Sequence, residues 1–154
     1  MLISRLEIEA AVSRIRAHLA VTPLIRTDHF SRKLGANVFF KLETLQPTHS
    51  FKVRGAFNAL MQLSEEQIHR GVVTASGGNH GLAIAHAAYV LGIPATVYLP
   101  ESATEAKLAP LRLLGPEIVI YGTAWDDANA LGLNLLRPWP TLSVVFALRA
   151  CCLR

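Results

Sequence analysis

Apolar positions fall into blocks of two periods, and the blocks alternate along the chain. Ser4 and Glu7 have the spacing of a capping box, in which a hydroxyl and a carboxylate each satisfy a free backbone N–H. Behind them Ile8, Ala11, Val12, Ile15 and Leu19 mark one helical face, and Thr22-Pro23 ends that run. Asn37 to Glu43 reads as a strand, and a loop with Gln46-Pro47-Thr48 follows. Val53, Ala56, Phe57, Leu60 and Met61 make a second helical face. Ser64-x-x-Gln67 opens a short helix that Gly71 suits as a terminator.

From there the alternation is regular. Val72 to Ala75 is a buried-type strand, Ser76 to Gly81 a turn, and His80 to Leu91 a helix closed by Gly92. Ala95 to Leu99 is a strand, and Ser102-x-x-Glu105 caps a helix reaching about Leu114. Glu117 to Tyr121 is a strand, and Thr123-x-x-Asp126 caps another helix. Strands alternating with helices over short connections predict an α/β fold, a parallel sheet covered by helices. Such folds place binding loops at the carboxyl ends of strands, and Ser76 to His80 stands there.

The pattern breaks near Leu131. Pro138 and Pro140 forbid a continuing helix, and Thr141 to Leu148 is apolar and strand-like. Charge breaks at the same place. The chain has 154 residues and a net charge of +4, which invites a nucleic-acid reading. Residues 1–127 hold 12 basic and 11 acidic residues, whereas 128–154 hold Arg137, Arg149 and Arg154 and no acid. The body is nearly neutral, so no nucleic-acid partner is expected.

A hydrophobic content of 51% with 17% charged residues predicts a folded chain. No window nears the roughly 20 apolar residues of a membrane span. Met1 to Glu7 lack a basic head and apolar stretch, so no secretory signal is expected. The two cysteines, Cys151 and Cys152, exclude a disulfide scaffold and a cysteine zinc cluster. The six histidines show no His-x-x-x-His pair, so no metal site is expected.

Two segments carry candidate chemistry. Lys52 stands between Phe51 and Val53 at the opening of an amphipathic helix. An apolar pocket disfavours a charged lysine, which frees a neutral amine to attack a carbonyl. The plainer reading is an exposed first-turn lysine. The second segment is Ser76-Gly77-Gly78-Asn79-His80-Gly81, where adjacent glycines between strand and helix let backbone N–H groups approach an anion. It matches neither standard nucleotide fingerprint. Its plainer reading is a tight turn with Asn79 and His80 as local caps.

Together these segments resemble the pyridoxal-phosphate-dependent threonine/serine dehydratases, tryptophan-synthase-β-like enzymes of fold type II. The matching stretches run in the family's order: Thr22-Pro23-Leu24, Lys41-Leu42-Glu43, Gln46 through Ala56, Ser76 through Gly81, and the helix from Lys107 to Gly115. The resemblance implies that Lys52 carries pyridoxal phosphate as a Schiff base and then removes the substrate α-proton. Phe51 would pack beside the pyridine ring and Asn79 would hydrogen-bond its phenolic oxygen. Ser76, Gly77, Gly78, Asn79 and His80 would hold the substrate carboxylate. The implied reaction is β-elimination of water from L-serine or L-threonine, giving a 2-oxo acid and ammonia.

The departures from the family pattern are specific. His49 stands where the family usually has glycine. Gly77 stands where serine racemase members have a second serine, the opposite-face base, which favours elimination over racemisation. Pro110 inside a helix predicts a kink. Members of the family are much longer two-domain chains, and no glycine-rich run for the cofactor phosphate follows Gly81.

The expected division is 1–52 as the start of the large cofactor domain, 53–130 as a small α/β domain, and 131–154 as an atypical tail, out of frame or otherwise foreign. The alternatives are an amino-acid racemase of the same fold type and a non-catalytic fragment or interaction protein. A cytoplasmic setting, a small amino-acid substrate and a homo-oligomer in intact relatives complete the expectation, with little activity for these residues alone.

Overall fold

Two of the four predicted caps form as capping boxes, those at Ser4 and Ser64. In the computed structural model, which describes residues 3–124, 126–127 and 130, Ser4 Oγ accepts from the Glu7 N–H at 3.2 Å. Glu7 Oε2 accepts from the Ser4 N–H at 2.7 Å, and α1 (Arg5–Ile15) follows. This helix ends well before Thr22-Pro23. Of its predicted face only Ile15 and the following Leu19 are buried, while Ile8 and Val12 are 56% and 55% exposed. The helical period is real, but among the described residues only the C-terminal end of that face meets a core.

The next two elements, β1 (Leu24–Arg26) and α2 (Asp28–Leu34), were not legible as a pattern. The strand expected from Asn37 to Glu43 shortens to β2 (Phe39–Lys41), which pairs antiparallel with β1, Leu24 opposite Lys41. Both strands are exposed along their whole length. Neither shows the inside–outside contrast that betrays a strand.

A 3-10 turn at Glu43–Leu45 leads to α3 (Lys52–Leu60). Ser64 and Gln67 cap α4 (Glu65–Arg70) reciprocally, and Gly71 follows with φ 82°. Then come β3 (Val72–Ala75), α5 (Asn79–Leu91), β4 (Ala95–Leu99), α6 (Glu105–Leu114) and β5 (Glu117–Ile120). The three strands form the predicted parallel sheet in the order β3-β4-β5, with Val72 opposite Ala95 and Thr96 opposite Glu117. Every residue of β3 is buried, the polar Thr74 included.

The main core lies between α3 and α5. Val53, Ala56, Phe57 and Leu60 pack against Ala83, Ile84, Ala87 and Ala88, and Ile15 and Leu19 join from the N-terminal side. The alanines of α5 let the two helices approach closely. Fully burying a side chain such as Phe57 or Leu60 contributes roughly 1.5–3 kcal/mol.

Two cap assignments change. The N-cap of α6 is Thr104, with no side-chain cap bond, because a turn from Pro100 to Ala103 leaves Ser102 ahead of the helix. The helix runs on through Pro110. After β5 it is Asp127 rather than Asp126 whose carboxylate accepts from the N–H groups of Thr123 and Ala124, both at 3.1 Å. Most of the helix expected there, and the segment 131–154 with its cysteines, lies outside the described residues. Among the described residues no helix is long and apolar enough to cross a membrane.

Candidate active site

Lys52 is the first residue of α3, behind Phe51 as N-cap. It is half-buried, and its Nζ lies 5.2 Å from the centre of the Phe51 ring, within cation–π range. That ring is itself 57% exposed. Phe51 thus stands beside the lysine as an open aromatic wall.

The approach to Lys52 is strongly ordered. Gln46, Thr48 and Ser50 are buried, while Pro47 and His49 between them are exposed. Gln46 Nε2 donates to the Ala20 carbonyl at 2.9 Å. Thr48 Oγ1 and Ser50 Oγ are buried without a hydrogen-bond partner among the described residues. His49 adopts φ 53°, the left-handed conformation that explains the family's glycine there. A non-glycine residue in that region costs roughly 1–2 kcal/mol.

An ion pair that the sequence reading left without a role sits beside this loop. Arg54 donates from Nε to Glu43 Oε2 at 2.7 Å and from Nη2 to Oε1 at 2.8 Å. Thr22 Oγ1 donates to the same Oε1 at 2.6 Å. The Arg54 hydrogen bonds hold the Glu43 carboxyl down at about 2, against the cost of burial. The signal was present in the sequence as Lys41-Leu42-Glu43 and Lys52-Val53-Arg54, but no spacing rule pairs residues from two such segments.

The second segment closes β3 and opens α5. Gly78 is the N-cap of α5 and makes no side-chain cap bond, and the thirteen-residue helix directs the positive end of its dipole at this turn. The Gly78 N–H reaches Ser76 Oγ at 3.4 Å. Gly81 is indispensable to this turn, because a Cβ there would stand 1.8 Å from the Ser76 carbonyl oxygen. A Cβ on Gly77 would stand 2.9 Å from Leu99 Cδ2, whereas Gly78 faces open space. Asn79 is exposed and His80 is buried at 4% exposure.

Ser76, Gly77 and Gly78 line a cavity of about 290 Å³ with Ser102 and Lys107. Gly77, Gly78 and Asn79 line a neighbouring one of about 260 Å³, again with Lys107. The structure thus brings Ser76 to Asn79 together, and Lys52 and Phe51 border neither cavity. Lys107 had no role in the sequence reading. Its signal was a cation in the first turn of α6, where the helix dipole disfavours it.

Comparison with known proteins agrees with this geometry. The family model described as "Pyridoxal-phosphate dependent enzyme" matches residues 15–144, a span that includes part of the segment set apart by its charge. The L-threonine ammonia-lyase of Geobacter sulfurreducens is 43% identical over 127 residues, covering 82% of this chain and 32% of that protein. Maize serine racemase superposes with a TM-score of 0.82 at 31% identity, over 91% of this chain and 42% of the other. Threonine deaminase isoform 2 from Solanum lycopersicum superposes with a TM-score of 0.75 at 33% identity, over 88% and 39%. The chain spans about a third to two-fifths of the length of these relatives. With the lysine-bearing α3 and the glycine loop before α5 both in place, it belongs to the pyridoxal-phosphate-dependent enzymes and has their fold type II architecture.

Proposed function

We propose that these residues are part of an ammonia-lyase that eliminates water from L-threonine or L-serine and yields a 2-oxo acid and ammonia. One observation carries the reading: a half-buried lysine with an aromatic neighbour heads α3, and an uncapped, glycine-lined helix N-terminus opens α5. The residues present fit the cofactor's ring and aldehyde, since Lys52 supplies the amine and Phe51 a flat wall. When bound, pyridoxal phosphate supplies the electron sink that makes the substrate α-proton acidic.

Each residue then has a defined task. Lys52 would hold the cofactor and, as a free amine, would accept the α-proton on Nζ. Asn79, exposed at the mouth of α5, would donate to the cofactor's phenolic oxygen. The substrate carboxylate meets the Ser76 hydroxyl and the N–H groups of Gly77, Gly78 and Asn79, where the helix dipole favours an anion. His80, which is buried, belongs to the same carboxylate-holding loop. Residues 1–52 belong to a large cofactor domain and 53–130 to a small one. The intact enzyme is a cytoplasmic homo-oligomer.

Racemisation is the second reading, favoured by the likeness to maize serine racemase. Against it stands Gly77, which offers no side chain as an opposite-face base. Joining the chain to the C-terminal half of a dehydratase relative and analysing products from L-serine and L-threonine separates the two. A 2-oxo acid lost in Lys52→Ala supports elimination, and a D-amino acid overturns it. The 154 residues alone are expected to take up the cofactor weakly and to turn over negligible substrate. A strong lysine-bound absorbance would overturn that expectation.

A further inference from the structure

We propose that Arg54 and Glu43 are positioning residues that set the direction from which Lys52 presents its amine. The proposal rests on the reading of Lys52 as the cofactor lysine.

The pair spans the loop that delivers Lys52. Glu43 opens the 3-10 turn after β2, and Arg54 lies in the first turn of α3. Their two parallel hydrogen bonds, at 2.7 and 2.8 Å, form the bidentate fork that fixes orientation as well as distance. Thr22 locks the remaining face of Glu43 Oε1, and Lys41 Nζ holds the Thr22 carbonyl at 2.5 Å. The clamp therefore ties three segments, around residues 22, 43 and 54, into one body.

Arg54 is two residues beyond Lys52 on the same helix. Residues at that spacing project to opposite sides of a helix. Holding Arg54 against Glu43 thus fixes the rotation of the first turn of α3, and with it the side from which Lys52 projects. The arginine also sits where the helix dipole opposes a cation, so its place there is made favourable by Glu43 and not by the helix. Glu43 is 16% and Arg54 35% exposed at the side chain, which shields the pair from the screening that weakens surface ion pairs.

The test compares the parent chain with Arg54→Ala, Arg54→Lys and Glu43→Gln. Amide hydrogen exchange is read by mass spectrometry on peptides covering 43–56 and 72–99. Lysine selectivity is read by incubation with pyridoxal phosphate, borohydride reduction and peptide mapping across Lys33, Lys41, Lys52 and Lys107.

Arg54→Ala is expected to speed exchange about tenfold in 43–56 and to leave 72–99 unchanged, the mark of local opening. Its preference for labelling Lys52 over the other lysines should fall by a similar factor, with Arg54→Lys recovering part of both effects. Unchanged exchange in 43–56 overturns the proposal. So does a uniform rise across both regions, which would make the pair a general stabiliser. If the parent chain shows no preference for Lys52, the reading of that lysine fails instead, and the exchange data still decide the clamp.

Discussion

The two halves of the candidate site are held in place by different forces. The Ser76 to Asn79 loop is held sterically: a fully buried strand leads into it, and Gly81 packs against the Ser76 carbonyl with no room for a Cβ. The Lys52 segment is held by polar bonds: the Arg54–Glu43 fork, the Thr22 hydroxyl and the Gln46 side chain anchor it to the residues around β1 and β2. A sterically held loop needs only its own strand and helix to form. A loop held by polar bonds depends on charge state and on the correct meeting of distant segments. The glycine loop therefore works as the rigid anchor of the site and the lysine segment as its tunable part.

That contrast can be broken from either side. Gly81→Ala is expected to have the largest effect, about 5 kcal/mol or outright failure to fold, because the new methyl meets backbone. Denaturant unfolding with far-UV circular dichroism checks it, and a loss below about 1 kcal/mol would refute the steric account. Phe57→Ala strikes the core shared by both halves. The ring is fully buried and stacks on His18 at 4.9 Å, so about 3–5 kcal/mol should be lost in the same measurement.

Acid acts on the lysine half through Glu43. The Glu43 carboxyl is held at about 2 against an ordinary 4.5, chiefly by the Arg54 hydrogen bonds. A depressed carboxyl contributes stability that is complete above its unfolded value and is lost as pH falls through the folded one. Between pH 4.5 and 2 the chain should lose on the order of 2 kcal/mol through this group, and Glu43→Gln should remove that part of the pH dependence. Urea titrations across that range test it, and a pH slope unchanged in Glu43→Gln would count against the assignment. His49→Gly is expected to have the smallest effect and to stabilise. Relief of the left-handed backbone, less glycine's greater entropy and the lost Nδ1 contact to the Thr44 carbonyl, leaves about 0.5 kcal/mol or less, read as a slightly higher melting temperature.

Legibility followed the same division. The β3-α5-β4-α6-β5 run was readable because each strand is bounded by turn signals and rich in apolar and β-branched residues, even though β5 itself is only partly covered. The capping boxes at Ser4 and Ser64 were readable because both partners lie three residues apart. The β1–β2 ribbon was largely hidden, since its six residues are all exposed and carry no alternation. The N-cap of α6 was misread because Ser102-x-x-Glu105 satisfies the same pattern that Ser4 and Ser64 satisfy, and only the Pro100 turn shifts the helix start to Thr104. Lys52, Phe51 and the glycine loop were found as motifs. The Glu43–Arg54 fork and the position of Lys107 beside the loop were not.

The order of residues was sufficient for everything governed by neighbours within about one helical turn: caps, periods, the glycine between strand and helix, the alternation that specifies a parallel sheet. Those terms act over a few ångströms of contiguous chain, so they survive in the sequence as spacing. Whatever depends on separate segments meeting had to wait for the fold. Glu43 and Arg54 lie eleven residues apart and Thr22 twenty-one before Glu43, yet they share one carboxylate. Lys52 is as enclosed as the surfaces that converge on it, and here one exposed ring is the wall they provide.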